Sequence, residues 1–295
     1  METNDKLDND LADAKNWGGC HDSAQLNCHI IAVAPNGARK SHLDHPQLPL
    51  STKEIAATAK QCLEAGASMI HLHVRDSQGQ HSLSVDYYQH AIDAINEATD
   101  NGIFIQVTSE AVGKYTADEQ FEMIHSLEPD AVSIALREIK ILDENIINGH
   151  FSKMRKANIA PQLILYNLTD LSLYSDWLNR GVIPGSAYPV LFVIGKQQPE
   201  GSFDNAFLKR DFVDGLPVSS WMICAFGKNE FQAGKLAADC GGHIRLGFEN
   251  NCLLDDGSIA NSNAEIISQM SGHLKTSNLK LANIQQTKQI MRPDW

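Results

Sequence analysis

Short apolar runs alternate with amphipathic stretches along most of the chain. The first run, Cys28 to Ala34, breaks at Pro35-Asn-Gly37 and reads as a strand followed by a turn. The polar, proline-containing stretch Arg39 to Leu50 reads as a loop. Ser51-Thr-Lys-Glu54 then forms a capping-box pattern, with Ile55, Ala59, Cys62 and Leu63 at helical spacing and Gly66 as the stop. Ser68 to Asp76 reads as a buried parallel strand that ends in a turn at Ser77-Gln-Gly79. Val85, Tyr88, Ile92 and Ile95 mark the next helix.

The alternation continues to the far end. Ile103 to Val107 and Ala131 to Leu136 are strands, separated by a helix that Thr116-Ala-Asp-Glu119 caps and that carries Phe121, Ile124 and Leu127. A helix is expected near Asn145 to Lys156. Weaker strand signals at Gln162 to Tyr166, Val190 to Ile194 and Trp221 to Ala225 are each followed by a helix-compatible segment. His243 to Phe248 is the eighth strand, and Ser262-Asn-Ala-Glu265 caps a closing helix. Eight strand-then-helix units predict an α/β fold of the (β/α)8 TIM-barrel type in a single domain, residues 28–275. A doubly wound open sheet is the alternative, but neither a G-x-G-x-x-G nor a phosphate-loop pattern follows any strand. Residues 1–27 are polar and acid-rich, without an apolar core segment, and are expected to form a loose arm rather than a signal peptide or anchor. Residues 276–295 are expected to be a C-terminal helix or arm that packs on a neighbour.

Composition narrows the partners. With 295 residues, 43% of them hydrophobic, the chain is long enough for a large core, and it has no apolar run near the roughly 20 residues that span a bilayer. The formal charge of -12, with no basic stripe, argues against nucleic acid and favours a small-molecule ligand. Six cysteines without C-x-x-C spacing argue against a thiolate zinc site and a disulfide scaffold, and fit a reducing cytoplasm.

The candidate chemistry centres on Ser68-Met-Ile-His-Leu-His-Val-Arg-Asp76. Alternate side chains on a strand share a face, so His71 and His73 project together where an apolar run gives way to a polar turn. That is the carboxyl end of a strand, where barrels and open α/β sheets bind ligands. The two imidazoles are either half of a divalent-metal site or a pair of hydrogen-bonded core histidines. If the barrel closes, the same mouth gathers Asn36 and Arg39; Thr108, Ser109 and Glu110; Ser133 and Arg137; Asn167; and Arg245, Glu249 and Asn250. Two imidazoles and one carboxylate make a catalytic zinc shell with an open position, and Glu249 is the natural third ligand. Its alternative role is a solvated loop acid or a partner for Arg245.

Four segments together resemble the β-keto acid cleavage enzymes: Ala34-Pro-Asn-Gly-Ala-Arg39, Gly66-Ala-Ser-Met-Ile-His-Leu-His-Val-Arg-Asp76, Gln106-Val-Thr-Ser-Glu-Ala-Val-Gly113 and Gly241-Gly-His-Ile-Arg-Leu-Gly-Phe-Glu-Asn-Asn251. The match runs from roughly Ile30 to Ile267. The resemblance implies a TIM barrel, usually a homotetramer, with one zinc per chain held by His71, His73 and Glu249. It implies an acyl exchange in which a β-keto acid and the co-substrate acetyl-CoA give acetoacetate and a new acyl-CoA, with zinc as Lewis acid for the enolate. It places Thr108 and Ser133 among hydroxyls that hold substrate or developing oxyanions, and Arg245 beside the general base. Asn36, Ser109 and Arg39 complete the expected substrate contacts.

Two departures from the family pattern stand out. The residue after the metal-binding glutamate is an aspartate, the proposed base, in the best-known member, which cleaves 3-keto-5-aminohexanoate. Here it is Asn250, and an amide cannot accept that proton. Glu110, at the end of the third strand, is the expected substitute. Arg39 replaces a glutamate that pairs with the substrate amine, so an anionic or neutral polar substrate tail is expected. Two alternatives stand beside this reading: a zinc hydrolase of the amidohydrolase type, which carries its H-x-H on the first strand, and a barrel that binds ligand without turnover.

Overall fold

The computed structural model describes residues 28–196, 213 and 215–294. Eight parallel strands close into a barrel: β1 (Ile31–Val33), β2 (Met69–Leu72), β5 (Phe104–Thr108), β6 (Ala131–Ala135), β7 (Ala160–Leu165), β8 (Tyr188–Ile194), β9 (Val218–Ala225) and β10 (His243–Leu246), with β10 pairing back to β1. The doubly wound alternative is thereby excluded. A small antiparallel hairpin, β3 (Val74–Arg75) and β4 (His81–Ser82), stands on the rim after β2.

Helices follow the strands and cover the barrel: α1 (Thr52–Ala65), α2 (Val85–Thr99), α3 (Ala117–Leu127), the short α4 (Leu136–Ile139), α5 (Glu144–Lys156), α6 (Leu168–Asn179), α7 (Glu230–Asp239) and α8 (Asn263–Thr276). The capping boxes at Ser51/Glu54 and Thr116/Glu119 both form, each satisfying backbone donors that would otherwise be orphaned at a helix start. Gly66 ends α1 at φ +114°, in the left-handed region. The helix expected after the Val190–Ile194 strand, and the N-terminal arm, lie outside the described residues.

Strand alternation separates two apolar cores. Residues such as Ile70, Leu72, Ile105 and Val107 face the helices, while Ile30, Ala32, Met69, Phe104, Leu191 and Met222 fill the barrel interior. The stretch expected as one strand from Ser68 to Asp76 is interrupted at His73. The reason lies in the neighbour: Leu72 pairs with Val107 near the end of β5, so Val74 and Arg75 find their partners in the local hairpin instead.

The amino end of the barrel is closed by the chain's own C-terminal segment. Lys280 O accepts from His29 N and Ala282 N donates to His29 O, and α9 (Ile284–Ile290) follows. Thr287 Oγ1 bonds Ser68 Oγ at 2.8 Å, and Met291 is fully buried against the interior cluster. The opposite, carboxyl end is left to the site. Among the described residues no helix is long and apolar enough to cross a membrane.

Candidate active site and metal centre

Two local constructions bring the histidines and Glu249 together. On the first side, β2 fixes His71 facing inward, and Asn36 Nδ2 donates to the backbone carbonyls of Pro49 and His73, tying the first loop to the residue just past β2. On the second side, the Gly247-Phe-Glu249 turn is clamped to the end of β1. Glu249 N donates to Ala34 O at 3.0 Å, and Phe248 N to Asn263 Oδ1 at 2.9 Å. Gly247 has φ +137°, and a Cβ there would lie 2.5 Å from Ala34 O. Gly37, at φ +61°, lies against the Glu249 side chain, where a Cβ would meet Cγ at 2.6 Å. Both positions require glycine.

The result is a triangle of three buried ligand atoms. His71 Nε2 and His73 Nε2 are 3.2 Å apart, and Glu249 Oε2 lies 3.8 Å from the first and 3.5 Å from the second. A tetrahedral zinc shell with metal-ligand distances of about 2.1 Å has edges of about 3.4 Å, so the donor set fits such an ion. Among the described residues Glu249 Oε2 has no hydrogen-bond partner although it is buried, an orphaned acceptor that a cation would satisfy. His71, His73 and Glu249 are also the one group of three or more such side chains among the described residues placed to hold a metal. The further histidine and aspartate ligands of the hydrolase alternative have no counterpart there.

The protonation states suit coordination. Burial and the Arg245 charge push the His71 imidazole well below its ordinary range, so its ring is neutral. Its Nδ1 donates to Gln106 Oε1 at 2.9 Å, which leaves the Nε2 lone pair for the metal. Gln106 Nε2 in turn donates to Gln162 Oε1 at 2.9 Å, fixing which way the amide faces. Burial alone would raise the Glu249 carboxyl, but Arg245 and the two histidines hold it well below the carboxylate range. Arg245 Nη2 lies 3.3 Å from Glu249 Oε1 and donates to Cys224 Sγ at 3.0 Å. Of the two readings of Glu249, ligand or Arg245 partner, the geometry accommodates both, one on each carboxylate oxygen.

The other expected residues divide into those that line the pocket and those that support it. Thr108, Glu110, Ser133, Arg245 and Glu249 line one pocket with His71. Ser133 Oγ is buried and without a partner among the described residues, while Thr108 Oγ1 accepts from Glu110 N. Ser109 points the other way, its hydroxyl donating to Ser133 O, and Asn36 is committed to backbone. Arg39 is 65% exposed at the rim, 3.8 Å from Glu110 Oε1. Among the described residues no acid lies within ion-pair distance of Arg75; its guanidinium binds the carbonyls of Gly37, Lys40 and Gly79. Asn250 is buried with both ends used: Nδ2 donates to Glu230 Oε1 and Arg245 O, and Oδ1 accepts from Cys224.

Four participants carried no signal at the start. Gln106 sits inward on β5 opposite His71, a register readable only once strands are paired. Glu230, at the start of α7, is fully buried, and burial pushes its carboxyl up to about 8 despite hydrogen bonds from Gly247 N and Asn250. Tyr166 and Lys196 complete the far wall, Lys196 Nζ lying 3.3 Å from Glu110 Oε1. Lys196 stands one residue past Gly195 at the end of β8, and its place in the wall emerges only with the pocket.

Comparison with known proteins matches this architecture. Relatives include the 3-keto-5-aminohexanoate cleavage enzyme of Fusobacterium nucleatum, 27% identical over 89% of this chain and 97% of that protein. The 3-oxoadipate:acetyl-CoA acetyltransferase of Cupriavidus necator is 25% identical over 89% and 94%. Among solved structures, ObcA in binary complex with oxaloacetate shares the fold with a TM-score of 0.63 at 15% identity, over 83% of this chain and 67% of that one. The family model for beta-keto acid cleavage enzymes matches residues 29–292, and the chain belongs to that family.

Proposed function

We propose that this protein is a zinc-dependent β-keto acid cleavage enzyme that condenses a β-keto acid with acetyl-CoA, releasing acetoacetate and a new acyl-CoA. Its place in a family of acyl-transferring enzymes is the starting point. The observation that carries the finer reading is the triangle of His71, His73 and Glu249 ligand atoms at the barrel mouth, with edges of 3.2, 3.5 and 3.8 Å. A divalent ion held there supplies a Lewis acid for a keto oxygen and an adjacent carboxylate.

The chain's own groups take the remaining roles. Glu110 stands in the same pocket, and although burial pushes its carboxyl up, His73 and Lys196 hold it ionised. In this reading Glu110 takes the proton from the carbon between the keto and carboxylate groups, the task that the Asn250 amide cannot perform. The unused hydrogen-bonding capacity of the buried Ser133 Oγ, with Thr108 nearby, receives an oxygen of the substrate or the developing oxyanion. Arg245 keeps Glu249 ionised and turned toward the imidazoles. Arg39 at the rim favours an anionic or neutral polar substrate tail over an ammonium. The proposal extends to a homotetramer, on the family resemblance alone, and to a reducing cytoplasm, on the scattered cysteines.

The test is incubation of the zinc-loaded protein with acetyl-CoA and a panel of β-keto acids, scoring acetoacetate and the new acyl-CoA. Stoichiometric formation of both products is expected. Water-dependent turnover without acyl-CoA, or no product from any keto acid, would contradict the proposal.

A further inference from the structure

The wall of the pocket facing away from the histidines is built around one mostly buried cation. Lys196 follows Gly195, whose φ is +72° and whose Cβ position would lie 3.0 Å from Phe226 O, so the chain turns sharply as it leaves β8. The Lys196 side chain is 24% exposed and lines the pocket together with Tyr166, Phe226 and Glu110. Its Nζ lies 5.3 Å from the Phe226 ring centroid and 5.7 Å from that of Tyr166, two aromatic faces that favour a cation. The hydrogen-bond acceptor it has among the described residues is Glu110 Oε1, at a long 3.3 Å. An ammonium has three donors, so this one retains capacity for an anionic ligand.

Glu110 does not depend on Lys196 alone, because Arg39 Nη1 also lies 3.8 Å from its Oε1. The other acid of this wall, Glu138, already accepts from Ala111 N and Gln120 Nε2. Lys196, Arg39 and Arg137, whose guanidinium stacks 3.4 Å over the Tyr166 ring, outnumber Glu110 and Glu138. An incoming carboxylate therefore meets a cation whose present partner has a second cation to turn to. We propose that Lys196 is the specificity-determining residue of the site and that it receives the carboxylate at the far end of a β-keto diacid, with the keto acid head at the histidine end. This rests on the functional reading above and replaces the exposed Arg39 with Lys196 as the group that contacts the tail.

The test compares kcat/KM of the zinc-loaded holoenzyme, with acetyl-CoA, for two β-keto acids of equal length, one ending in a carboxylate and one in its methyl ester. The variants are Lys196→Met and Lys196→Arg, and zinc content is measured for each. Wild type favours the diacid by about 10- to 100-fold, the worth of one charge-assisted hydrogen bond. Lys196→Met loses that preference, its kcat/KM falling much further for the diacid than for the ester and mainly through KM, with zinc content held, and Lys196→Arg retains it. A loss shared equally by both substrates, as a contact with coenzyme A or a purely structural role would give, overturns the inference, as does a diacid preference that survives Lys196→Met. Should that variant not fold, inhibition of wild type decides: a saturated dicarboxylate is expected to inhibit at least about tenfold better than the equal-length monocarboxylate, and equal inhibition overturns it. Acetoacetate from no keto acid at all overturns the functional reading and this inference with it, whereas turnover without a role for Lys196 overturns the inference alone.

Discussion

Replacing Gln106 by leucine removes the support of the metal centre while leaving all three ligands in place. Gln106 is fully buried, accepts the His71 Nδ1 proton at 2.9 Å and donates to Gln162 Oε1 at 2.9 Å. Leucine has about the same volume, so little cavity energy enters. Two buried polar atoms, His71 Nδ1 and Gln162 Oε1, lose their partners at about 1–3 kcal/mol each, so the variant unfolds about 2–6 kcal/mol more easily. The effect on the metal is separate. With nothing to hold the proton on Nδ1, the imidazole is free to place it on Nε2, the atom that faces Glu249. Loss of such an outer partner costs about 10- to 100-fold in metal affinity. Zinc affinity is measured by competition with a chromophoric chelator at fixed pH, and unfolding by denaturant titration of the metal-free protein. Affinity within about threefold of wild type in a folded Gln106→Leu protein would refute the claim that Gln106 sets the tautomer of His71.

Three further outcomes follow from the same geometry. Gly37→Ala places a methyl 2.6 Å from Glu249 Cγ at a left-handed φ, so zinc content per chain should fall sharply while the far-ultraviolet spectrum holds; full zinc content would contradict the packing argument. Glu110→Gln should abolish turnover with zinc retained, whereas Asn250→Ala should leave measurable turnover; untouched activity in the first and none in the second would exclude Glu110 as the base. Burial raises the Glu230 carboxyl from the 4.5 of a free glutamate to about 8, so the unfolded chain releases this proton first. The stability it contributes is therefore whole below about pH 4.5 and declines as the pH rises toward 8, by at most about 1.4 kcal/mol per pH unit. The unfolding free energy of Glu230→Gln should gain on wild type between pH 5 and pH 8, and a pH-independent difference would contradict the assignment.

The barrel was legible because its determinants are local. Capping at Ser51 and Thr116, the stop at Gly66 and apolar strands of the right length each act within a few residues, and closure follows from their number and order. His71 and His73 were legible for the same reason, as neighbours on one face of one strand. Glu249 is separated from them by most of the chain, so it could be placed beside them only by supposing that the barrel closes, with a family motif in support. Gln106, Glu230 and Lys196 were hidden because their significance is relational. Gln106 matters through its register against His71, and Glu230 through the turn at Gly247 that folds over it. Lys196 matters through Glu110, which stands on the opposite side of the sequence and the same side of the pocket. Arg39 is the reverse case: a motif position suggested a substrate contact, and the fold sets the side chain at the rim, 65% exposed and 3.8 Å from Glu110 Oε1.

The proposed chemistry requires that two imidazoles and the Glu249 carboxylate surround a single ion with one position free. X-ray absorption at the zinc edge, on protein loaded with one equivalent of zinc, addresses it directly. A four-coordinate first shell of two imidazole nitrogens and two oxygens is expected, one oxygen exchanging when a β-keto acid is added, and the shell is expected to change in Glu249→Gln. A shell containing sulfur, or one indifferent to both Glu249 and the keto acid, would contradict it.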